Sequence, residues 1–162
     1  VAYPLAKRFT HAPQLVLGLT FNWGALLGWA AVHGSLDWGA VGPLYAGGVF
    51  WTLMYDTLYA HQDKDDDSKL GLRSTALLFG DKWSRPALTA FAAAMVGSVG
   101  AAGYSCGLSW PFYAGLAGAA SHMAWQIGSA DFEDRMNLTQ RFVSNNTVGA
   151  IVFAGIVGGH FI

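Results

Sequence analysis

Five aspartates lie within twelve positions of the sequence, from Asp56 to Asp67, directly after an apolar run. On an α-helix each residue advances by about 100°, so Asp56, Asp63 and Asp67 fall within roughly 40° of one another if one helix contains all three. They would then form one acidic stripe. If the helix instead ends near Asp63, Asp67 approaches the stripe from a loop. Asp65 and Asp66 point elsewhere in the same projection.

An acidic stripe beside a membrane needs cations to be stable. A carboxylate at membrane depth costs roughly 2.5 to 3.5 kcal/mol, and neighbouring carboxylates repel one another. Carboxylate oxygens suit Mg²⁺, which is usually bound by one or two carboxylates together with the phosphate oxygens of a substrate. The pattern therefore predicts a metal site that an anionic ligand completes. A solvated acidic helix end is the alternative, whereas an EF-hand calcium loop is excluded because its glycine and terminal glutamate are missing.

The composition is that of a membrane protein. Hydrophobic residues make up 53% of the 162 residues and charged residues only 12%, against about 25% charged residues in soluble domains. The net charge of -1 gives no indication of nucleic-acid binding, and the single cysteine excludes a disulfide framework or a Cys-based metal site. Four stretches contain no Asp, Glu, Lys or Arg, namely 9–36, 38–55, 86–130 and 142–162.

These stretches predict an all-α, polytopic transmembrane bundle in one domain, residues 1–162. About 20 apolar residues suffice for one crossing. The longest stretch is interrupted by Gly100, Gly103, Gly107 and Pro111, so it is interpreted as two spans joined by a turn. Pairs of small residues four apart indicate close helix packing, at Gly24/Gly28, Ala114/Gly118 and Gly155/Gly159. The five predicted spans are 13–32, 40–60, 87–104, 110–128 and 146–162.

The charged residues predict the topology. All nine Lys and Arg residues, and nine of the ten acids, fall on one side of the predicted bundle, with Asp37 as the exception. By the positive-inside rule this side faces the cytoplasm or the mitochondrial matrix. The loop from His61 to Pro86 contains a short apolar run bounded by Gly71 and Gly80, which predicts an interfacial helix that caps the bundle. A surface helix without a catalytic role is the alternative.

The acidic segment resembles a motif of a known family. The segment "YDTLYAHQDKDDDSKLGLRST" and the upstream segment "YPLAKRFTHAPQLVLGLTFNWGALLGW" resemble the 4-hydroxybenzoate polyprenyltransferases, the UbiA-type membrane enzymes of ubiquinone biosynthesis. The resemblance is most specific from Tyr3 to Gly80. The matching residues of the acidic segment are Tyr55, Asp56, Thr57, Tyr59, Ala60, Asp63, Lys64, Asp66, Asp67, Gly71, Arg73, Ser74, Thr75 and Gly80.

The resemblance implies Mg²⁺-dependent transfer of a polyprenyl group from polyprenyl diphosphate to the ring of 4-hydroxybenzoate. It implies that Asp56, Asp63 and Asp67 form the metal and diphosphate group, with Asp66 as a weaker member. The basic residues Lys64, Lys69 and Arg73 become candidates for the diphosphate or the benzoate carboxylate. For Lys64 and Lys69 the alternative is charge balance with the aspartates, including pairs with Asp65 and Asp66.

Several polar and aromatic residues have two interpretations. Asn22 would line the substrate pocket, although a hydrogen bond between helices is the favoured role. Tyr59, with Tyr55, would stabilise a carbocation through its ring face, with packing as the alternative. His122 is predicted to be a buried imidazole with satisfied hydrogen bonds rather than a base.

The chain departs from the family pattern in one respect. The family has two aspartate-rich motifs on about nine spans, whereas this sequence has one motif and five predicted spans, so it resembles the C-terminal part of such an enzyme. Catalysis would then require an N-terminal half or companion membrane subunits. The alternative function is a non-catalytic structural subunit of a respiratory complex that contacts lipid or quinone. The expected location is the mitochondrial inner membrane with the charged face toward the matrix, or else a bacterial inner membrane.

Overall fold

Helices account for nearly all of the described chain. The structure, a computed structural model, describes the backbone of residues 3–161 and the side chains of residues 5–161. The predicted all-α class is confirmed within that range. Its nine α-helices are α1 (Tyr3–Phe9), α2 (Pro13–Phe21), α3 (Trp23–His33), α4 (Trp38–Ala60), α5 (Lys64–Lys69), α6 (Thr75–Ser105), α7 (Trp110–Gly128), α8 (Arg135–Val143) and α9 (Asn145–Phe161), and a 3-10 turn, His61–Asp63, joins α4 to α5.

Each predicted span coincides with helical structure. Three helical stretches are long and apolar enough to cross a membrane by length and composition, namely Pro13–His33, Thr75–Ser105 and Arg135–Phe161. Helices α4 and α7 are 23 and 19 residues long but are not among those three. The count of five spans therefore stays a prediction. Ile162, the last residue of the fifth predicted span, lies outside the described residues.

The first predicted span is not one continuous helix. It breaks at Asn22, whose φ of −90° and ψ of 10° separate α2 from α3. The Asn22 Nδ2 donates hydrogen bonds to the Gly18 carbonyl at 2.8 Å and to Thr52 Oγ1 of α4 at 3.0 Å. Gly48 of α4 makes room for this amide, because a Cβ there would lie 2.4 Å from Asn22 Oδ1. The break is thus stabilised by a neighbouring helix.

The predicted capping helix forms the first turns of α6. Ser74 Oγ accepts a hydrogen bond from the Leu77 N–H at 3.3 Å and so caps the helix start. At Gly80 the backbone leaves the helical region, with φ of 57° and ψ of −175°. Residues other than glycine essentially never adopt these angles. Gly80 therefore kinks α6 between the turn Thr75–Phe79 and the long segment that follows.

The helices pack mainly as two antiparallel pairs. Helix α4 lies along α6, and α7 lies along α9, while α2 packs against α4 and α6 against α7. Side chains from these helices and from α8 form one buried hydrophobic cluster, which includes Met54, Leu58, Leu88, Met95, Phe112, Leu116, Met123, Leu138 and Val148. The cluster holds the charged ends of α4, α6 and α8 in fixed relative positions.

The α7–α9 pair depends on glycine. A Cβ on Gly115 would lie 3.0 Å from the Gly155 Cα, so these two backbones are in direct contact. A Cβ on Gly159 would lie 2.7 Å from the Phe112 side chain. The prediction of close packing at Gly155 and Gly159 is therefore confirmed. Around Gly24 and Gly28 of α3, in contrast, a Cβ would meet open space within the described structure.

Candidate active site at the charged end of the bundle

The acidic stripe is not carried by one continuous α-helix. Helix α4 ends at Ala60, the 3-10 turn follows, and α5 begins at Lys64. A 3-10 turn advances about 120° per residue instead of 100°, which changes the projection on which the stripe was predicted. Asp56 is half-buried on α4, Asp63 is exposed in the turn, and Asp67 is buried on α5. The three carboxylates thus differ strongly in their exposure to solvent.

Asp67 forms an ion pair with a lysine from the start of the chain. The Lys7 Nζ donates to both carboxylate oxygens of Asp67, at 3.0 and 3.1 Å. The Asp67 side chain is 6% exposed and that of Lys7 is 22% exposed. A buried carboxylate is stable only with such a partner. Lys7 is therefore a member of the site that was not among the residues predicted from the sequence, because the two residues are sixty positions apart.

Helices α1 and α2 are attached to the acidic segment by three further hydrogen bonds. The Arg73 N–H donates to the Lys7 carbonyl at 2.9 Å, and Arg73 Nη1 donates to the Phe9 carbonyl at 3.2 Å. The Thr75 N–H donates to Gln14 Oε1 at 3.2 Å. Arg73 forms no ion pair with a carboxylate of the described residues. Its remaining N–H groups can therefore bind an anionic ligand.

The other charges of the segment are largely paired with one another. Asp66 lies 3.8 Å from Lys69, as predicted, and its other oxygen accepts a hydrogen bond from Arg135 of α8 at 3.1 Å. Asp65 and Asp66 were predicted to be solvated or paired with Lys64 and Lys69; Lys64 pairs with neither of them, because its Nζ donates to Asp81 Oδ1 of α6 at 2.6 Å. Asp65 is exposed. These contacts bring the α4–α6 connection and α8 together at one end of the bundle.

A buried histidine lies beside the Lys64–Asp81 pair. His61 Nε2 is 2.8 Å from Ser84 Oγ, and the imidazole stacks on the Phe132 ring with centroids 4.1 Å apart. Ser84 Oγ also donates to the Gly80 carbonyl at 2.6 Å, so it accepts from His61 Nε2–H. Burial, assisted by the charge of Lys64 and opposed by that of Asp81, lowers the pKa of His61 to about 4. The imidazole is therefore neutral at pH 7.

The donor atoms at this end of the bundle fit a hard cation. In residues 3–161 no group of three or more His, Cys, Asp or Glu side chains is arranged to hold a metal ion. Mg²⁺ does not require such a group, since one or two carboxylates plus substrate phosphates are its usual protein environment. Asp56 and Asp63 supply oxygen ligands of that kind. Asp67 differs from a free ligand in that the Lys7 Nζ donates to both of its oxygens.

Asn22 lines an apolar cavity, whereas Tyr55 and Tyr59 pack on an aromatic neighbour. Asn22 and Trp51 are among the residues around a cavity of about 250 Å³ between α3, α4, α6 and α9. Asn22 also makes the predicted hydrogen bond between helices, to Thr52. The rings of Tyr55 and Tyr59 pack on Phe142, with centroid distances of 5.6 and 4.6 Å. The packing interpretation of the two tyrosines is thus satisfied, and their role toward a carbocation stays a prediction.

The prediction for His122 was wrong in one respect. Its side chain is partly buried on α7 beside Trp125, with ring centroids 5.1 Å apart. Its Nε2, however, is buried without a hydrogen-bond partner among the described residues. The position of His122 in the sequence does not predict this missing hydrogen bond, because the partner of a buried ring nitrogen comes from a neighbouring helix.

Comparison with known proteins decides the family. The UbiA prenyltransferase family matches residues 1–154. The chain belongs to this family. Within it, the chain is similar to a solved protein described as the apo structure of a UbiA homolog from Aeropyrum pernix K1. The TM-score is 0.76 at 29% identity, over 96% of this chain and 58% of that one. The expected partial UbiA-type bundle is therefore confirmed.

Other members of the UbiA family resemble the chain more closely in sequence. The mitochondrial 4-hydroxybenzoate polyprenyltransferase of Arabidopsis thaliana is 54% identical over 158 residues, which cover 98% of this chain and 39% of that protein. The proteins of the same name from Rattus norvegicus and Homo sapiens are 52% and 50% identical over 160 residues. The chain spans about two fifths of the length of these relatives.

Proposed function

We propose that the chain is part of a membrane prenyltransferase of ubiquinone biosynthesis that transfers a polyprenyl group from polyprenyl diphosphate to 4-hydroxybenzoate. The observation that carries the proposal is the identity of about 50% to 4-hydroxybenzoate polyprenyltransferases along almost the whole chain. The mitochondrial inner membrane is the proposed location, because these relatives are named as mitochondrial and the helices are apolar. The charged end of the bundle would face the matrix.

In this proposal Asp56 and Asp63 would hold Mg²⁺, which would neutralise charge on the diphosphate. Both residues follow the apolar part of α4 and supply oxygen ligands. Bound there, Mg²⁺ would offset the negative charge that develops on the leaving diphosphate. Arg73 is the favoured cation for the diphosphate or the benzoate carboxylate, because a guanidinium binds such groups through two parallel hydrogen bonds. Lys64 is less suited, since Asp81 binds it at 2.6 Å.

Lys7 and Asp67 would stabilise the site as an ion pair, while Asp56, Asp63 and Arg73 would bind the metal and the diphosphate. Lys7 neutralises Asp67, so the net charge that α5 presents to a diphosphate is less negative than its sequence suggests. A ligand anion approaching the aspartates is repelled less as a result. The same ion pair fixes α1 against α5 and thereby positions Arg73, whose backbone N–H donates to Lys7.

The cavity bordered by Asn22 and Trp51 is the proposed path of the prenyl chain. It is lined mainly by apolar side chains from α3, α4, α6 and α9. An apolar lining excludes water, and water would otherwise capture a carbocation formed when the diphosphate leaves. Tyr59, one turn beyond Tyr55 on α4, is the proposed aromatic neighbour of that cation.

The test is prenyl transfer by the full-length protein in detergent. Asp56→Asn and Asp63→Asn remove one carboxylate charge each while keeping the side-chain size. We expect each change to lower turnover about 10²- to 10³-fold, the usual effect of removing one transition-state stabilising group. The assay measures prenylated 4-hydroxybenzoate formed from polyprenyl diphosphate in the presence of Mg²⁺.

Asp65→Asn is the matched control. Asp65 lies in the same acidic segment, but it is exposed and forms no ion pair within the described residues, so its substitution should leave turnover close to that of the unsubstituted protein. If Asp56→Asn and Asp63→Asn retain full turnover, the assigned roles are wrong. If the unsubstituted full-length protein gives no product, the result favours a non-catalytic structural subunit.

A further inference from the structure

A large apolar cavity lies away from the acidic segment. It is a groove of about 750 Å³ between α6 and α7, and its lining is almost entirely apolar. Small residues create it, with Ala93 and Gly97 on α6 facing Ala120 and Ala124 on α7. Ala93, Gly97 and Ala124 are exposed, while Met123 and Ile127 of the buried cluster also line the groove. The groove is therefore open on a flank of the bundle and is backed by part of its core.

The groove has one polar end. Arg85 lines it there, near the end of α7. Its Nη1 donates to the carbonyls of Ile127 and Gly128 at 2.6 and 3.2 Å, and its Nη2 donates to that of Ala130 at 2.7 Å. No carboxylate of the described residues pairs with this guanidinium. Two of its five N–H groups, including Nε–H, remain for another acceptor.

The dimensions of the groove match one leaflet of a membrane. Arg85 and Gly97 are twelve residues apart on α6, a rise of about 18 Å at 1.5 Å per residue. One leaflet contributes about half of the roughly 30 Å hydrocarbon thickness. Arg85 belongs to the charged end of the bundle, where lipid headgroups would lie. An apolar channel one leaflet long with an unneutralised cation at the headgroup level fits the shape and charge of an anionic phospholipid.

We propose that this groove binds one acyl chain of an anionic phospholipid whose phosphate accepts hydrogen bonds from Arg85. The small residues of α6 and α7 supply the contact surface for the chain, and the guanidinium supplies the headgroup selectivity. Thr89 does not compete for the headgroup, because its hydroxyl donates to the Arg85 carbonyl at 2.9 Å. The site is separate from the aspartates, so the proposal does not depend on prenyl transfer.

The test compares two phospholipids on the full-length protein. The purified protein is equilibrated in detergent with equal amounts of phosphatidylglycerol and phosphatidylcholine of identical chains, and the retained lipid is measured by native mass spectrometry. Both lipids carry the phosphate, but the quaternary ammonium of phosphatidylcholine offsets its charge and so weakens its attraction to Arg85. We therefore expect the apparent Kd for phosphatidylglycerol to be about tenfold lower. Glycerol phosphate, which has the anion without the chains, should not displace it.

Gly97→Leu tests the groove itself. A Cβ at Gly97 meets open space, so a leucine there fills the groove without striking the backbone. The variant should lose the tenfold preference, while its unfolding temperature in lipid-free detergent should stay the same or rise slightly because leucine favours a helix over glycine. Ala101→Leu is the control, because Ala101 is exposed one turn further along α6 and does not line the groove. This control should keep the preference.

Four results would overturn the proposal. Equal retention of both phospholipids on the unsubstituted protein would show that Arg85 does not favour an anionic headgroup. Displacement by glycerol phosphate would indicate an anion site without a chain. An unchanged preference in Gly97→Leu would place the lipid elsewhere. If no phospholipid is retained, the groove does not bind lipid. That result is expected if a second copy or another segment of the full-length protein fills the groove.

Discussion

The ion pair between Lys7 and Asp67 makes the stability of the site depend on a residue far away in sequence. Lys7→Met would leave the Asp67 carboxylate buried without a counter-charge. Removing one partner of a buried pair typically costs roughly 3 to 5 kcal/mol, and we expect the lower part of that range because Lys7 is 22% exposed. Thermal unfolding of the full-length protein in detergent measures the effect.

Arg8→Met is the control for this prediction. Arg8 is the adjacent basic residue and is exposed, so its loss should change the unfolding temperature little. Combining Lys7→Met with Asp67→Asn should recover part of the lost stability, because the second change removes the unpaired charge. A double variant as unstable as the sum of the two single variants would show that the pair does not interact.

His61 should make the stability of the protein depend on pH. Its pKa is about 4 in the folded protein and about 6.5 in an unfolded chain. The unfolded state therefore binds more protons between these values, and the folded state is favoured least at low pH. We expect the free energy of unfolding to fall by on the order of 3 kcal/mol as pH decreases from 6.5 to 4.

His61→Asn removes the titrating group and so identifies its contribution. The profile of unfolding temperature against pH should be flatter for this variant between pH 4 and 6.5. The variant is also expected to be less stable at pH 7, because the stacking on Phe132 and the hydrogen bond to Ser84 are changed. Parallel profiles for the two proteins would show that other groups cause the pH dependence.

Contacts within one helical turn could be predicted from the sequence, and distant contacts could not. The Asp66–Lys69 pair is three residues apart, a spacing that places two side chains on one helix face. A pair between Lys64 and Asp65 or Asp66 was predicted on the same basis, but α6 places Asp81 within 2.6 Å of the Lys64 Nζ instead. The partners of Asp67 and His61 come from other helices, and no spacing rule predicts which helices meet.

At the scale of the helices, the contact between α7 and α9 should be sensitive to one added methyl group. In Gly115→Ala the new Cβ would lie 3.0 Å from the Gly155 Cα, and a backbone atom cannot move aside without moving its helix. We expect destabilisation of about 1 to 3 kcal/mol from this overpacking. The measurement is thermal unfolding in detergent.

Gly118→Ala on the same helix is the matched control. Its Cβ would lie 3.5 Å from the Ile151 side chain, which is an ordinary van der Waals contact. Alanine also favours the helix over glycine by about 1 kcal/mol. This variant should therefore be as stable as the unsubstituted protein or slightly more stable. Equal destabilisation by both changes would contradict the assigned contact.

The positions of the helices followed from the sequence, while their interruptions did not. Stretches without charged residues located the helices now seen as α4, α7 and α9 to within a few residues. The break at Asn22 was missed because its amide is held by Thr52 of α4. An end of the helix near Asp63 was one of the two predicted alternatives, but the 3-10 geometry of His61–Asp63 was not predicted.

At the scale of the whole molecule, the chain should be inactive without the rest of the protein. It spans about two fifths of its relatives and presents a single acidic segment. A diphosphate and its cations need more ligands than two carboxylates provide. We expect no prenylated benzoate from the chain alone, and product when it is co-expressed with the part of the Arabidopsis thaliana relative that it does not match.

The same pair of chains carrying Asp56→Asn is the control, and it should give little product. That result would show that activity requires the acidic segment of this chain and not the added part alone. Product from residues 1–162 alone would contradict the prediction. Loss of the chain from the membrane fraction, checked by immunoblotting, would identify a failure of insertion instead.

The kink at Gly80 redirects the chain at the acidic end of the bundle. Two dihedral angles of this one residue determine how Thr75–Phe79 is inclined to the long part of α6. Thr75 and Ala76 are buried, and Thr75 is hydrogen-bonded to Gln14 of α2 and to Thr57 of α4. A residue with a side chain at position 80 would favour a straight helix and so pull Thr75 away from both of these partners.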